Sequence, residues 1–128
     1  APTSANRERI LFNNLPKYVA SGARLVLGTD AGIDARHAFG WADHHEMSRW
    51  VQSGISPAEA IVAATSRPAA LIGIPDLGTL AVGKSADFLV LTANPLEDIR
   101  YTRRIDQVYI KGAALDRAAM VREFQRRH

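Results

Sequence analysis

Asp30 is the residue whose surroundings best suit it for chemistry. It follows a short apolar run, Ala23-Arg24-Leu25-Val26-Leu27, and lies between Gly28 and Gly32. A carboxylate just past the C-terminal end of a buried strand occupies the position where α/β sheets and barrels carry reactive groups. The flanking glycines let the backbone approach a ligand or metal closely. Such a carboxylate could ligate a metal or take a proton; equally, it could do no more than cap the following turn. Three histidines follow within fifteen residues: His37, His44 and His45. With Asp30 they offer metal-ligand chemistry, but their spacing does not close a site. His44 and His45 are adjacent and would point to different sides of a helix, and there is no H-E-x-x-H pairing. A loop or surface role for His37 and His44 explains them as well.

The other candidates have structural roles close at hand. Glu46 lies three positions after Asp43, the spacing of a capping box at a helix start. Asp87 precedes a strand and reads as a turn or cap residue. Trp41 is placed to line a pocket, whereas Trp50 falls on the apolar face of a helix. Neither a G-x-S-x-G nucleophile turn nor a G-x-x-x-x-G-K-S/T phosphate loop occurs, so these two chemistries lack their sequence signatures.

The elements that must position these residues read as α/β. Residues 4–21 carry Ile10, Leu11, Phe12, Leu15 and Val19 at helical spacing. Pro16 inside that stretch predicts two short helices or one kinked helix, stopped at Gly22. Residues 23–28 read as a buried strand. Asp43 to Ser53 predicts a helix with Met47, Trp50 and Val51 inward and Gly54 as its stop. Ser56-Pro57-Ala58-Glu59 has Ser at the N-cap, Pro at N1 and Glu at N3, and opens a second helix running to about Thr65. A shorter helix restarts at Ser66-Arg67-Pro68 and ends at Gly73. After Pro75-Asp76 the pattern changes to β: a short extended piece at 78–83, strands at 86–91 and 105–110, and turns at Asn94-Pro95 and Lys111-Gly112. A last helix covers about 116–126. The expected organisation is therefore 1–73 as an α/β part, 74–115 as a small β part and 116–128 as a C-terminal helix.

Composition excludes several classes. The 128 residues are 47% hydrophobic and 23% charged, the profile of a globular domain. No apolar run approaches the ~20 residues that span a bilayer, and the polar start has no signal-peptide h-region, so the expected location is cytoplasmic. The absence of cysteine removes disulfide and thiolate chemistry. Residues 1–99 hold 8 Lys/Arg against 10 Asp/Glu, whereas residues 100–128 hold 8 against 3. In that basic end the charges alternate with Ile105, Val108, Ile110, Met120, Val121 and Phe124, as a solvated strand and helix face would. No aromatic series accompanies them, so nucleic acid is not an expected partner.

Several ordered stretches carry a resemblance. They are Leu27-Gly28-Thr29-Asp30-Ala31-Gly32, His45-Glu46, the segments 53–60 and 63–69, the run Gly78-Thr79-Leu80-Ala81-Val82-Gly83-Lys84-Ser85-Ala86-Asp87 continuing to Leu91, and Asn94-Pro95-Leu96. Over about residues 20–115 the chain resembles the C-terminal part of the metal-dependent amidohydrolase superfamily, in its imidazolonepropionase-like and prolidase-like branch. The resemblance implies a (β/α)8 barrel with a small β-sandwich. Residues 23–28 would be the eighth barrel strand, and the strands at 86–91 and 105–110 would belong to the sandwich. It implies that Asp30 binds a divalent metal, usually zinc, and accepts a proton from the attacking water. His45 and Trp41 would touch a small-molecule substrate, and Asp87 would keep a structural job.

The chain departs from that pattern in one large respect. The family also uses an H-x-H pair and further histidines on other strands, whereas the four histidines here (37, 44, 45 and 128) all follow Asp30. A whole barrel takes ~250 residues. The chain is thus expected to be the C-terminal portion of a longer hydrolase of C–N bonds and inactive alone. The remaining metal ligands would come from the rest of the barrel, on a longer parent or another chain. A lone barrel strand leaves unpaired edges, so self-association into a homo-oligomer is also expected. The alternative from a different class is a non-catalytic oligomerisation module that uses its basic end to bind an anionic partner.

Overall fold

The computed structural model describes residues 3–32 and 38–127. The helices are α1 (Ser4–Ala20), α2 (Ala42–Gln52), α3 (Pro57–Ala64), α4 (Ser66–Leu71) and α5 (Arg117–Arg127). The strands are β1 (Phe88–Leu91), β2 (Ile105–Ile110) and β3 (Ala113–Ala114), with a 3-10 turn at Ile99–Arg103 between β1 and β2.

α1 is one continuous helix through Pro16. Its end is closed by Ala23 N–H donating to Tyr18 O and Gly22 N–H to Val19 O, each 3.0 Å, a Schellman arrangement that satisfies the last carbonyls. The same pair of bonds ends α2, from Gly54 to Val51 O (3.0 Å) and from Ile55 to Trp50 O (3.2 Å). α3 begins as its sequence predicts: Ser56 Oγ accepts from Glu59 N–H at 3.2 Å and Pro57 stands in the first turn. α2 does not. Its N-cap is Trp41, without a side-chain cap bond, and Asp43 lies inside the first turn. Glu46 is not the far half of a capping box, because its Oε1 accepts from Trp50 Nε1 at 3.0 Å. The indole N–H of a buried tryptophan needs an acceptor, and that demand claims the carboxylate.

The core forms where α2 crosses α3. Met47, Trp50, Ile55, Ala60 and Ala63 are buried there, joined by Ile99 from the 3-10 turn. Leu15 and Val19 of α1 and Leu25 and Leu27 of the segment after it pack against this cluster. Residues 23–28 form no strand, which corrects the sequence expectation. A strand is defined by its neighbours' hydrogen bonds, and no strand lies beside it among the described residues. Leu25, Val26 and Leu27 are accordingly only half-buried.

The β part is an antiparallel sheet in the order β1-β2-β3. Phe88 faces Tyr109 across β1 and β2, their rings stacked 4.5 Å apart, a cross-strand pair that fixes the register. Lys111 and Gly112 both have positive φ (51° and 78°) and join β2 to β3 in a two-residue turn. Asp87 accepts from Lys111 N–H at 2.5 Å, the turn role its sequence position suggests. Residues 78–83 form bends and a turn with no strand. Gly78, with φ +82°, lets that stretch press on the start of α4: a β-carbon there would lie 2.7 Å from Thr65 O and 2.8 Å from Ser66 Cα. α5, capped by Asp116 Oδ1 on Ala119 N–H (2.8 Å), buries none of its residues.

Ile99, 4% exposed, carries the β part into the helical core. Ile99→Ala should lower unfolding free energy by about 2–4 kcal/mol. Val82→Ala, at a fully exposed position, should change it by less than about 0.5 kcal/mol. Urea denaturation followed by far-ultraviolet circular dichroism checks both.

Candidate functional site

The segment leading to Asp30 is held by α3 and α4 in place of neighbouring strands. Leu27 N–H donates to Ala63 O at 2.8 Å, and Arg67 Nη1 reaches Leu25 O at 3.4 Å. The same Arg67 nitrogen donates to Glu59 Oε1 at 2.5 Å, and this contact holds the Glu59 carboxyl below its ordinary range. Leu25 and Leu27 are partly buried and pack against the α2–α3 core. Together these contacts deliver Asp30 to the end of the segment.

Asp30 itself is exposed, with φ 51°, in the left-handed region that aspartate tolerates better than most residues. No described residue donates a hydrogen bond to its carboxylate; residues 33–37, which continue the turn that Asp30 could cap, lie outside the described residues. Gly32 follows with φ +96°, and a β-carbon there would lie 2.5 Å from Phe39 Cζ. The chain entering α2 therefore returns into contact with the residue two past Asp30, and glycine is what lets the Phe39 ring lie there.

The approach to α2 also carries Trp41 and His45. Their rings stack with centroids 4.5 Å apart and planes 15° from parallel, and His45 is exposed. The Arg103 guanidinium lies 5.9 Å from the Trp41 ring centroid. His44 turns the other way. It is half-buried, and its Nδ1 is 3.0 Å from Thr102 Oγ1, which itself donates to Ile99 O at 2.8 Å. Thr102 has one hydroxyl proton, already committed to that carbonyl, so Nδ1–H is the donor to Oγ1. Burial pushes the His44 pKa down; Asp43 opposes the shift and Arg103 adds to it. His37 lies outside the described residues. Thr102 and Arg103 escaped the sequence reading because they are some sixty residues from α2 and no local spacing links the two.

Asp30 is one carboxylate. Among the described residues no group of three or more His, Asp or Glu side chains comes together to hold a metal ion. His44 is committed to Thr102, His45 to Trp41 and Glu46 to Trp50. The described donor set therefore does not fit a divalent ion by itself. Among the described residues no helix is long and apolar enough to cross a membrane.

Comparison with known proteins agrees with this architecture. Residues 2–115 match the model of the amidohydrolase family, and the chain belongs to that family. Imidazolonepropionase of Deinococcus radiodurans is 39% identical over 103 residues, which span 77% of this chain and 25% of that protein. Adenine deaminase 1 of Carboxydothermus hydrogenoformans is 32% identical over 109 residues, 75% of this chain and 17% of that protein. In fold, phenylurea hydrolase B superposes with a TM-score of 0.76 at 36% identity, covering 83% of this chain and 27% of that one. A Xaa-Pro dipeptidase with methionine in its active site gives 0.72 at 32% identity, covering 82% and 25%. The chain thus spans a quarter or less of the length of these curated relatives.

The His44 environment sets a pH dependence. A histidine whose folded pKa lies below its ordinary 6.5 binds its proton more readily once unfolded. Stability should therefore be constant above about pH 7.5, fall as pH drops through 6.5, and level off below the folded pKa. His44→Asn, whose Nδ2 stands in for Nδ1, should flatten that slope relative to the parent in thermal melts between pH 5 and 8. Thr102→Val, which strands the Nδ1–H, should cost about 1–3 kcal/mol.

Proposed function

We propose that this chain supplies the eighth strand, the following helices and sandwich strands of a (β/α)8 hydrolase that cleaves C–N bonds of small molecules. Asp30 is the reacting carboxylate that the chain contributes. The observation that carries the reading is the Asp30 carboxylate itself: exposed, free of hydrogen bonds from any described residue, and at the C-terminal end of an apolar segment inside the family-matched stretch. Active groups of barrel enzymes sit at that end of the strands.

In this reading the Asp30 carboxylate orients the attacking water and accepts its proton. A divalent ion, zinc by family habit, would supply Lewis acidity in the whole protein, with its other ligands drawn from outside this chain. The names of the relatives, an imidazolonepropionase, a deaminase, a phenylurea hydrolase and a dipeptidase, support a substrate with a C–N bond. Trp41 and His45, at the start of α2, are assigned to substrate contact. The 128 residues alone are assigned no turnover, because one carboxylate does not make the site.

The test uses the longer protein that contains this chain. Asp30→Asn should lower kcat/KM for a cyclic amide or N-acyl substrate by about 10³-fold or more and reduce bound metal per chain, with the circular dichroism spectrum unchanged. Full activity in that variant would overturn the assignment.

A further inference from the structure

We propose that α5 is a peripheral anchor that lays its apolar face on an anionic lipid surface. The inference concerns where the protein is held and does not depend on the reaction assigned to Asp30.

The first observation is exposure. α5 buries none of its residues, and Met120, Val121 and Phe124 are 56%, 56% and 64% exposed. At 3.6 residues a turn these three side chains fall within an arc of about 100°. From the sequence, this end of the chain reads as a solvated face whose apolar side packs inward; in the structure the apolar side of the helix is exposed as well. Leu11 and Leu71 are exposed too, but they lie within the family-matched residues 2–115, where the rest of a barrel would cover them. α5 lies beyond that stretch.

The second observation is charge. α5 carries Arg117, Arg122, Arg126 and Arg127 against one acid. That acid, Glu123, is shared by Arg126 (3.7 Å) and Arg127 (2.8 Å). Arg122 and Arg126 fall on the side of the helix away from Phe124, and Arg127 borders the apolar arc. A basic polar side opposite an apolar side with an aromatic ring is the pattern of a helix that lies in a membrane interface without spanning it. A helix is about 10 Å across and the Debye length at physiological salt is about 8 Å. Arginines on the far side therefore still feel the field of an anionic leaflet.

The third observation is size. A stable protein–protein interface uses about 20–30 residues a side, whereas the apolar face of α5 offers Met120, Val121 and Phe124. Two such faces brought together would also set four arginines beside four. A lipid surface demands no matching contour, and a shallow apolar face among cations suffices for it. The helix is fixed at its first turn, where Asp116 Oδ1 accepts from Ala119 N–H at 2.8 Å and Arg117 Nη1 donates to Ile105 O of β2 at 3.0 Å. Docking of α5 thus carries the β part with it.

Flotation of the 128-residue chain with phosphatidylcholine vesicles holding about 30% phosphatidylserine, against vesicles of phosphatidylcholine alone, tests the assignment. The anionic vesicles should bind about tenfold more tightly or better, and raised salt should weaken them. Phe124→Gln, which keeps a good helix former, should weaken binding by about tenfold, and Arg122→Gln by about fivefold, with the circular dichroism spectrum unchanged. Lys84→Gln, an equal change in charge at an exposed residue outside α5, should leave binding as it is. Absence of binding, equal binding to both vesicles, a Phe124→Gln variant that floats like the parent, or a Lys84→Gln loss as large as that of Arg122→Gln would each overturn the inference. So would a dimer that sedimentation equilibrium detects in the parent and not in Phe124→Gln, since the face would then belong to a second copy. None of these outcomes bears on Asp30→Asn turnover, so the hydrolase reading stands or falls separately.

Discussion

The close crossing of α2 and α3 is the constraint from which the rest of this structure is hung. Ala60 and Ala63 are fully buried, and their small side chains allow Trp50 and Met47 of α2 to settle against α3. Everything else docks on that contact. α1 contributes Leu15 and Val19, the segment after it Leu25 and Leu27, and the 3-10 turn Ile99. A larger residue at Ala60 or Ala63 would push Trp50 outward and with it every element packed on the cluster. The Trp50 indole also recruits Glu46, so the polar bonds of α2 are arranged around the same contact.

From this crossing the candidate site is reached by two short lines. One runs from Ala63 through its carbonyl to Leu27 N–H, and along that segment to Asp30. The other runs from Ile99 through Thr102 to His44, and along the 3-10 turn to Arg103. The two lines come from the family's barrel-like and β parts, and both lead to residues around the entry to α2. Such an arrangement explains why the bonds around His44 matter although it is assigned no chemistry: it ties together two segments almost sixty residues apart (44 and 102).

The described structure also shows what a lone strand segment does. Among the described residues, backbone groups that would pair on two sides in a sheet meet instead the helix carbonyls of Tyr18 and Ala63 and one arginine, and the leucines of the segment anchor it to the core. Charge replaces pairing at Leu25, where Arg67 reaches the carbonyl while held by Glu59. Apolar side chains elsewhere remain uncovered, among them Leu11 of α1 and Leu71 of α4, as expected for surfaces that a barrel would cover.

Local chemistry wrote much of this fold into the sequence. Ser56-Pro57-Ala58-Glu59 starts α3 because the serine hydroxyl and the proline ring suit a helix entrance whatever surrounds them. Gly22, Gly54 and Gly73 end helices for equally local reasons, and the β-branched and aromatic residues Ile105, Val108, Tyr109 and Ile110 favour β2. Asp30 stood out by its place after an apolar run between glycines, and Asp87 by its place at a turn. The tertiary structure alone decided the rest. Glu46 left its capping box because a buried indole three-dimensionally beside it needed an acceptor. The apolar run at 23–28 has no strand partner among the described residues, because pairing depends on neighbours that no local pattern specifies. Thr102 and Arg103 joined α2 only through packing at Ile99, since hydrogen bonds and ring contacts depend on distance in space, and distance in sequence carries no record of it.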